Sequence, residues 1–158
     1  MTEHDADHDR FMTIALTEAE TAAAAGDTPV ASVIVKNGQV VATGRNRIFS
    51  SGNLLRHAEI EAITAACEAV GSSDLSGMTL YSTMEPCPMC AWAISLSRIG
   101  EVVLGGRFAS MQRTDLGSYA IEQFFTMTAS QVKVRDGVRQ IECEAMRRAW
   151  STKTGRIV

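Results

Sequence analysis

The sequence predicts an α/β fold on a mixed, five-stranded sheet, and three observations support that prediction. Two β-branched runs, 30–35 and 39–43, flank Asn37-Gly38, the strongest short-range signal for a β-hairpin. Three more strand-like runs, 78–83, 101–104 and 131–134, are separated by helical patterns. Strands alternating with helices after an antiparallel hairpin give a sheet with both parallel and antiparallel neighbours.

Residues 9–25 are Ala-rich, with Phe11, Met12, Ala15, Leu16, Ala19 and Ala23 at helical spacing. Gly26 ends that helix and Asp27-Thr28-Pro29 turns the chain into the hairpin. After the second strand, Gly44-Arg45-Asn46-Arg47 leads into a loop rich in Ser, Gly and Asn that runs to Arg56. The next helix opens at His57, carries Ile60, Ile63, Cys67 and Val70 on one stripe and stops at Gly71. Strand 78–83 delivers the chain to Glu85-Pro86-Cys87. The helix that follows is apolar almost all round (Met89, Ala91, Trp92, Ala93, Ile94, Leu96), which implies burial on several sides, within the fold or at a subunit interface. Strand 101–104 closes at Gly105-Gly106, and a mixed loop, 107–117, precedes a short helix over 118–126. Strand 131–134 and the Asp136-Gly137 turn lead to a last helix, 138–150. With no repeat or linker, the 158 residues read as one domain. The charged segment 1–8, which holds His4 and His8, and the polar segment 151–158 are expected to be flexible tails.

No apolar run approaches the ~20 residues of a membrane span, and the N-terminus lacks the basic-then-apolar pattern of a signal peptide. The expected location is the cytoplasm. A net charge of -3 argues mildly against a polyanionic partner, although a local basic patch can hide in an acidic total.

The chemistry concentrates in His57-Ala58-Glu59 and, after 26 intervening residues, Pro86-Cys87-Pro88-Met89-Cys90. One imidazole and two thiolates suit Zn2+, and three protein ligands leave a fourth tetrahedral position for water, as catalytic zinc requires. Glu59 is not needed as a ligand and stands close enough to His57 to move protons. If both pieces open helices, Cys87 and Cys90 share a face and helix N-termini favour the thiolates. Alone, Cys87-x-x-Cys90 would also fit a redox pair or half of a structural zinc site. The prolines and the upstream His-x-Glu argue against the first. The core-like setting of Cys67 and Cys143 argues against the second, which needs a fourth ligand.

The chain resembles the cytidine deaminase-like superfamily, in the branch of guanine deaminases, fungal cytosine deaminases and bacterial tRNA adenosine deaminases. The resemblance covers 11–107. Its most specific pieces are Val33-Ile34-Val35-Lys36-Asn37-Gly38, Gly44-Arg45-Asn46, His57-Ala58-Glu59-Ile60 and the stretch from Leu80 to Cys90. It implies a three-layer α/β/α sandwich and a homodimer. It places zinc on His57, Cys87 and Cys90 and the proton shuttle on Glu59. It also implies that Asn46 hydrogen-bonds the base or its sugar, and that backbone groups of Ala58 and Cys87 meet the ring edge. After Arg107 the likeness fades, and Asp115 and Tyr119 are the polar candidates there for reading the substrate. The segment 107–125 is expected to close over the substrate together with the last helix.

Within the branch, Pro-Cys-Pro-Met-Cys and the segment 66–71 are most similar to guanine deaminase. The leading expectation is therefore hydrolytic deamination of a free base or nucleoside, with guanine the first substrate to try. The second reading is a tRNA adenosine deaminase, with nucleic acid as partner. Ser97-Arg98-Ile99-Gly100 and the basic Arg147, Arg148, Lys153 and Arg156 speak for it. A zinc-stabilised scaffold is a third reading, against which the intact Glu59 argues.

Overall fold

The computed structural model describes residues 3–113 and 115–156. The elements run α1 (Glu3–Ala24), β1 (Ala31–Lys36), β2 (Gln39–Arg45), α2 (Ile48–Ser51), α3 (Ala58–Val70), β3 (Thr79–Met84), α4 (Pro88–Leu96), β4 (Glu101–Gly106), α5 (Ile121–Met127), β5 (Lys133–Arg135) and α6 (Gln140–Thr154). The five strands form one sheet in the order β2-β1-β3-β4-β5. β1 is antiparallel to both β2 and β3, whereas β3–β4 and β4–β5 are parallel. The expected mixed sheet is therefore present. Asn37 and Gly38 both take positive φ, 50° and 73°, as a two-residue hairpin turn between twisted strands demands.

The strand pleat sends alternate residues into two cores. Ile34, Leu80, Val102 and Leu104 pack with Ala62 and Ala66 of α3, Ala91 and Ile94 of α4, and Ile121 and Phe125 of α5. Val33, Val35, Tyr81 and Val103 pack on the opposite face with Phe11, Met12, Ala15 and Leu16 of α1 and Cys143 of α6. Helices thus cover both faces, which makes three layers. The central strands β1, β3 and β4 are buried on both sides; β1 and β4 read as largely apolar runs for that reason, whereas β3 buries the hydroxyls of Ser82 and Thr83 as well.

Both expected tails differ from the sequence reading. α1 begins at Glu3, and His8 is buried, with Nδ1 2.9 Å from the hydroxyl of Tyr81 on β3. The partner lies 73 residues away, so no local pattern could announce it. At the other end α6 runs to Thr154 and is capped by Gly155 at φ 69°. Met1, Thr2, Thr114, Ile157, Val158 and the side chain of His4 lie outside the described residues. The loop after β2 holds one helical turn, α2, whose first N–H groups find local acceptors. Asn46 Oδ1 accepts from Ile48, and Asp27 Oδ1 accepts from Phe49 and Ser50. No described helix is long and apolar enough to cross a membrane.

Candidate active site

Two helix N-termini meet at one point. His57 is the N-cap of α3 and Cys87 the N-cap of α4. Both hold extended backbone angles, and Pro88 occupies the first turn of α4, where its missing N–H costs nothing. β2 brings α3 close enough that Gly44 packs directly on the α3 backbone, and the parallel strand β3 runs straight into Glu85-Pro86-Cys87. His57 Nδ1 lies 3.7 Å from Cys87 Sγ and 3.6 Å from Cys90 Sγ, and the two sulfurs are 3.7 Å apart. Ordinary zinc bond lengths at tetrahedral angles put two sulfurs roughly 3.8 Å apart and a sulfur and a nitrogen roughly 3.6 Å apart. The triangle therefore has the size zinc requires, and these three form the His/Cys/Asp/Glu cluster of metal-binding geometry among the described residues. Without metal, the contact with Cys90 pulls the Cys87 thiol down to about 4 and pushes that of Cys90 up, as when two thiols share one proton.

Glu59 is buried beside the triangle. Burial pushes its pKa up, against the opposing pull of His57. Ser82 of β3 donates to its Oε1 at 3.1 Å, which fixes the carboxyl. That cavity, of about 360 Å³, is lined by His57, Glu59 and Cys87 at its floor. The volume is within the usual range for a small-ligand site.

The other predicted residues divide. Asn46 is buried in the cavity wall, and its N–H donates to Val30 O at 2.9 Å. Ala58 is the first residue of α3, fully buried beneath the triangle. Asp115 reaches the lining, but Arg113 Nε donates to its Oδ1 at 2.9 Å, and that hydrogen bond holds its carboxyl below the usual range. Tyr119 does not reach the lining. Its hydroxyl donates to Pro86 O at 2.7 Å and its ring lies against Phe108 and Phe124, so it supports the zinc loop from behind. The segment after Arg107 does reach the cavity, through Phe108, Arg113, Asp115 and Leu116, and α6 adds Arg147.

Several residues of the site had no sequence signal. Glu85 is buried and accepts three hydrogen bonds: from Arg107 Nε at 3.1 Å, Phe108 N–H at 2.9 Å and Ile121 N–H at 2.9 Å. It joins the zinc loop to the segment that lines the other wall. Ser82 and Thr28 looked like ordinary strand and turn residues. Arg147, one of the four basic residues that speak in the sequence for an RNA partner, is 2% exposed rather than a surface cation.

A metal centre of this composition beside a buried carboxylate, on a three-layer sheet fold, belongs to the zinc-dependent deaminases. Residues 5–106 match the cytidine and deoxycytidylate deaminase zinc-binding region, and the chain belongs to that family, within the cytidine deaminase-like superfamily. It is 43% identical over 95 residues to a tRNA-specific adenosine deaminase of Bacillus subtilis (strain 168), covering 60% of this chain and 59% of that one. It is 36% identical over 135 residues to a tRNA-specific adenosine deaminase of Streptococcus pyogenes serotype M18 (strain MGAS8232), covering 84% and 82%. A solved tRNA:A34 deaminase, which edits A to I at the wobble position, superposes with a TM-score of 0.77 at 35% identity, over 87% of this chain and 98% of the other. A guanine deaminase from Nitrosomonas europaea shares the fold, with a TM-score of 0.81 at 24% identity over 91% and 84%. The chain spans about three fifths of the length of the Bacillus relative. These likenesses overturn the expectation of a free-base deaminase with guanine as first substrate. The motif Pro-Cys-Pro-Met-Cys forms the metal loop and does not by itself name the base.

Proposed function

We propose that the protein deaminates an adenosine within a transfer RNA to inosine, releasing ammonia. The observation that carries this reading is the identity to tRNA-specific adenosine deaminases, which extends over 84% of the chain in one relative and so passes well beyond the zinc core. Zinc held by His57, Cys87 and Cys90 would supply an acidified water as nucleophile. Glu59, anchored through Oε1 by Ser82, would pass one proton from the attacking water to the purine N1, and a second, from the hydroxyl then added to the ring carbon, to the departing amine, which leaves as ammonia. A carboxyl whose pKa burial has raised suits a group that must hold a proton in mid-cycle. Asn46 accepts the Ile48 N–H through Oδ1, which leaves its NH2 to donate to the base or ribose. The Ala58 N–H, at the first position of α3, would meet the ring edge.

The same reading includes a homodimer, in which the exposed Trp92 and Leu96 of the apolar helix α4 would be covered, and a cytoplasmic location. The test is to incubate zinc-loaded protein with an anticodon stem-loop carrying adenosine at the wobble position and to measure inosine by mass spectrometry. Guanine, cytosine and adenosine run in parallel for ammonia release. Inosine in the stem-loop is the expected result. Ammonia from a free base with no inosine in the RNA would overturn the proposal.

A further inference from the structure

We infer that Arg113 and Arg147 form a phosphate subsite in the wall of the substrate cavity, and that the groove continuing from it holds the sugar–phosphate strand flanking the reacting nucleotide. The strand rests on the tRNA reading; the phosphate subsite does not.

A second depression, lined by Met111, Gln112, Arg148, Ser151 and Thr152, adjoins the cavity over the zinc triangle at Arg113, Asp115 and Arg147, which line both. Along the second part, three guanidinium groups stand against one lining carboxylate, Asp115. Glu144 lies behind Arg148, 3.1 Å from its Nη2. The other two carboxylates at the cavity are already engaged: Ser82 donates to Glu59, and Arg107, Phe108 and Ile121 donate to Glu85. In a chain of net charge -3, this is a local concentration of positive charge at the mouth of the candidate active site.

The two arginines are held in place in advance. Arg113 lies over the Phe108 ring at 4.9 Å and is braced by Asp115, which takes its Nε and Nη2 and leaves the Nη1 edge for a ligand. Arg147 lies over the Trp150 ring at 5.0 Å, and its Nη1 donates to Ser151 Oγ at 2.7 Å. A guanidinium fixed by stacking loses little rotamer freedom when one of its N–H edges meets a phosphate oxygen. Burial lowers the Arg147 pKa to about 10, so the group stays charged at neutral pH while bearing a desolvation cost. A second observation is independent of charge. Thr28 lines the same cavity, 3% exposed, and its Oγ1 is buried with no hydrogen-bond partner among the described residues. Such a hydroxyl is expensive unless a ligand completes it, and a ribose–phosphate offers the polar atoms to do so.

The test measures deamination of the anticodon stem-loop and of adenosine 5′-monophosphate, at several salt concentrations, by wild type, Arg147→Gln, Arg147→Lys and Arg113→Gln. Each variant is checked for zinc content and thermal unfolding. The glutamine variants should raise KM for the stem-loop about 10- to 100-fold with a much smaller change in kcat. They should also flatten the dependence of log KM on log salt by about 0.7 per lost contact. Arg147→Lys should recover part of the loss. An abasic oligoribonucleotide, which presents a strand without bases, should compete with the stem-loop on the wild-type protein, a readout that needs no variant. Folded, zinc-loaded variants with unchanged KM and salt slope, or no competition by the abasic strand, would overturn the inference even if inosine forms. If the stem-loop is not deaminated but the monophosphate binds or reacts in an Arg147-dependent way, the phosphate subsite stands and the strand and tRNA reading fall together.

Discussion

Replacing Gly44 with alanine tests how the sheet sets the position of the zinc centre. A Cβ built on Gly44 would lie 2.2 Å from Ala62 N, 2.4 Å from Ala58 O and 2.8 Å from Ala62 Cα, all backbone atoms of α3. No side chain can rotate out of the way. Reaching a tolerable 3.4 Å means opening the β2–α3 contact by about 1.2 Å, the difference between 3.4 and 2.2. Overpacking of this kind costs about 1–3 kcal/mol, and a rigid backbone contact belongs near the upper end. For a chain of this size each kcal/mol lowers the unfolding temperature by about 2–4 °C, so the expected drop is about 6–12 °C. The clash falls on the first turns of α3, directly after His57 and around Glu59. A displacement near 1 Å at reacting groups is worth about 100-fold in rate. Scanning calorimetry, zinc stoichiometry and deamination kinetics on Gly44→Ala check both effects. A variant that melts within about 2 °C of wild type with unchanged kcat/KM would refute the claim that this glycine sets the distance between sheet and metal ligand.

Glu59→Gln should retain one zinc per chain by elemental analysis while turnover falls about 10²–10⁴-fold; loss of the metal would show that the carboxylate is a ligand instead. Glu85→Gln replaces an acceptor of three hydrogen bonds with a group that can satisfy only some of them. Up to about 3–5 kcal/mol of stability should be lost, with faster amide exchange at Phe108 and Ile121 than in α3. Burial works against the charge on Glu144, but hydrogen bonds from Ser110, Gln140, the Arg107 N–H and Arg148 outweigh it and hold its pKa below the ordinary glutamate value. Because the folded pKa is the lower one, that stabilisation is complete above the ordinary value and is lost as the pH falls through the lowered one. Acid should therefore loosen 107–113, seen as faster exchange at Arg107, and Glu144→Gln should remove this pH dependence.

Much of the fold was legible because its signals are local. Asn37-Gly38 demands a hairpin, Gly71 ends α3 with φ 66°, and the two-faced burial of the central strands shows as apolar runs. The metal triangle was legible because its chemistry requires those residue types at helix starts. What the sequence concealed depends on partners far along the chain. His8 looks like a tail residue until Tyr81 is beside it, and nothing local in the sequence pairs Glu85 with the Phe108 and Ile121 N–H groups. Arg147 is indistinguishable from a helix-end cation until α6 is laid over the cavity. Helical periodicity says which residues share a face but not what that face meets. The substrate is less legible for a related reason: the most specific motif describes the metal loop, which is separate in sequence from the segment that lines the far wall of the cavity.

The buried carboxylate of Glu85 accounts for that separation. It is adjacent in sequence to the zinc loop, yet its hydrogen bonds go to Arg107, Phe108 and Ile121, mostly to main-chain N–H groups that any residue there would supply. The segment that forms the far wall of the cavity is thus hung from a hook that is nearly indifferent to its side chains. Residues such as Arg113, Asp115 and Leu116 can be exchanged, and the segment lengthened or shortened between the attachment points, while His57, Cys87 and Cys90 keep their spacing. One metal core can in this way acquire new substrates by trading a single loop, and the exchange of 109–118 between relatives is the natural starting point for redesigning this protein.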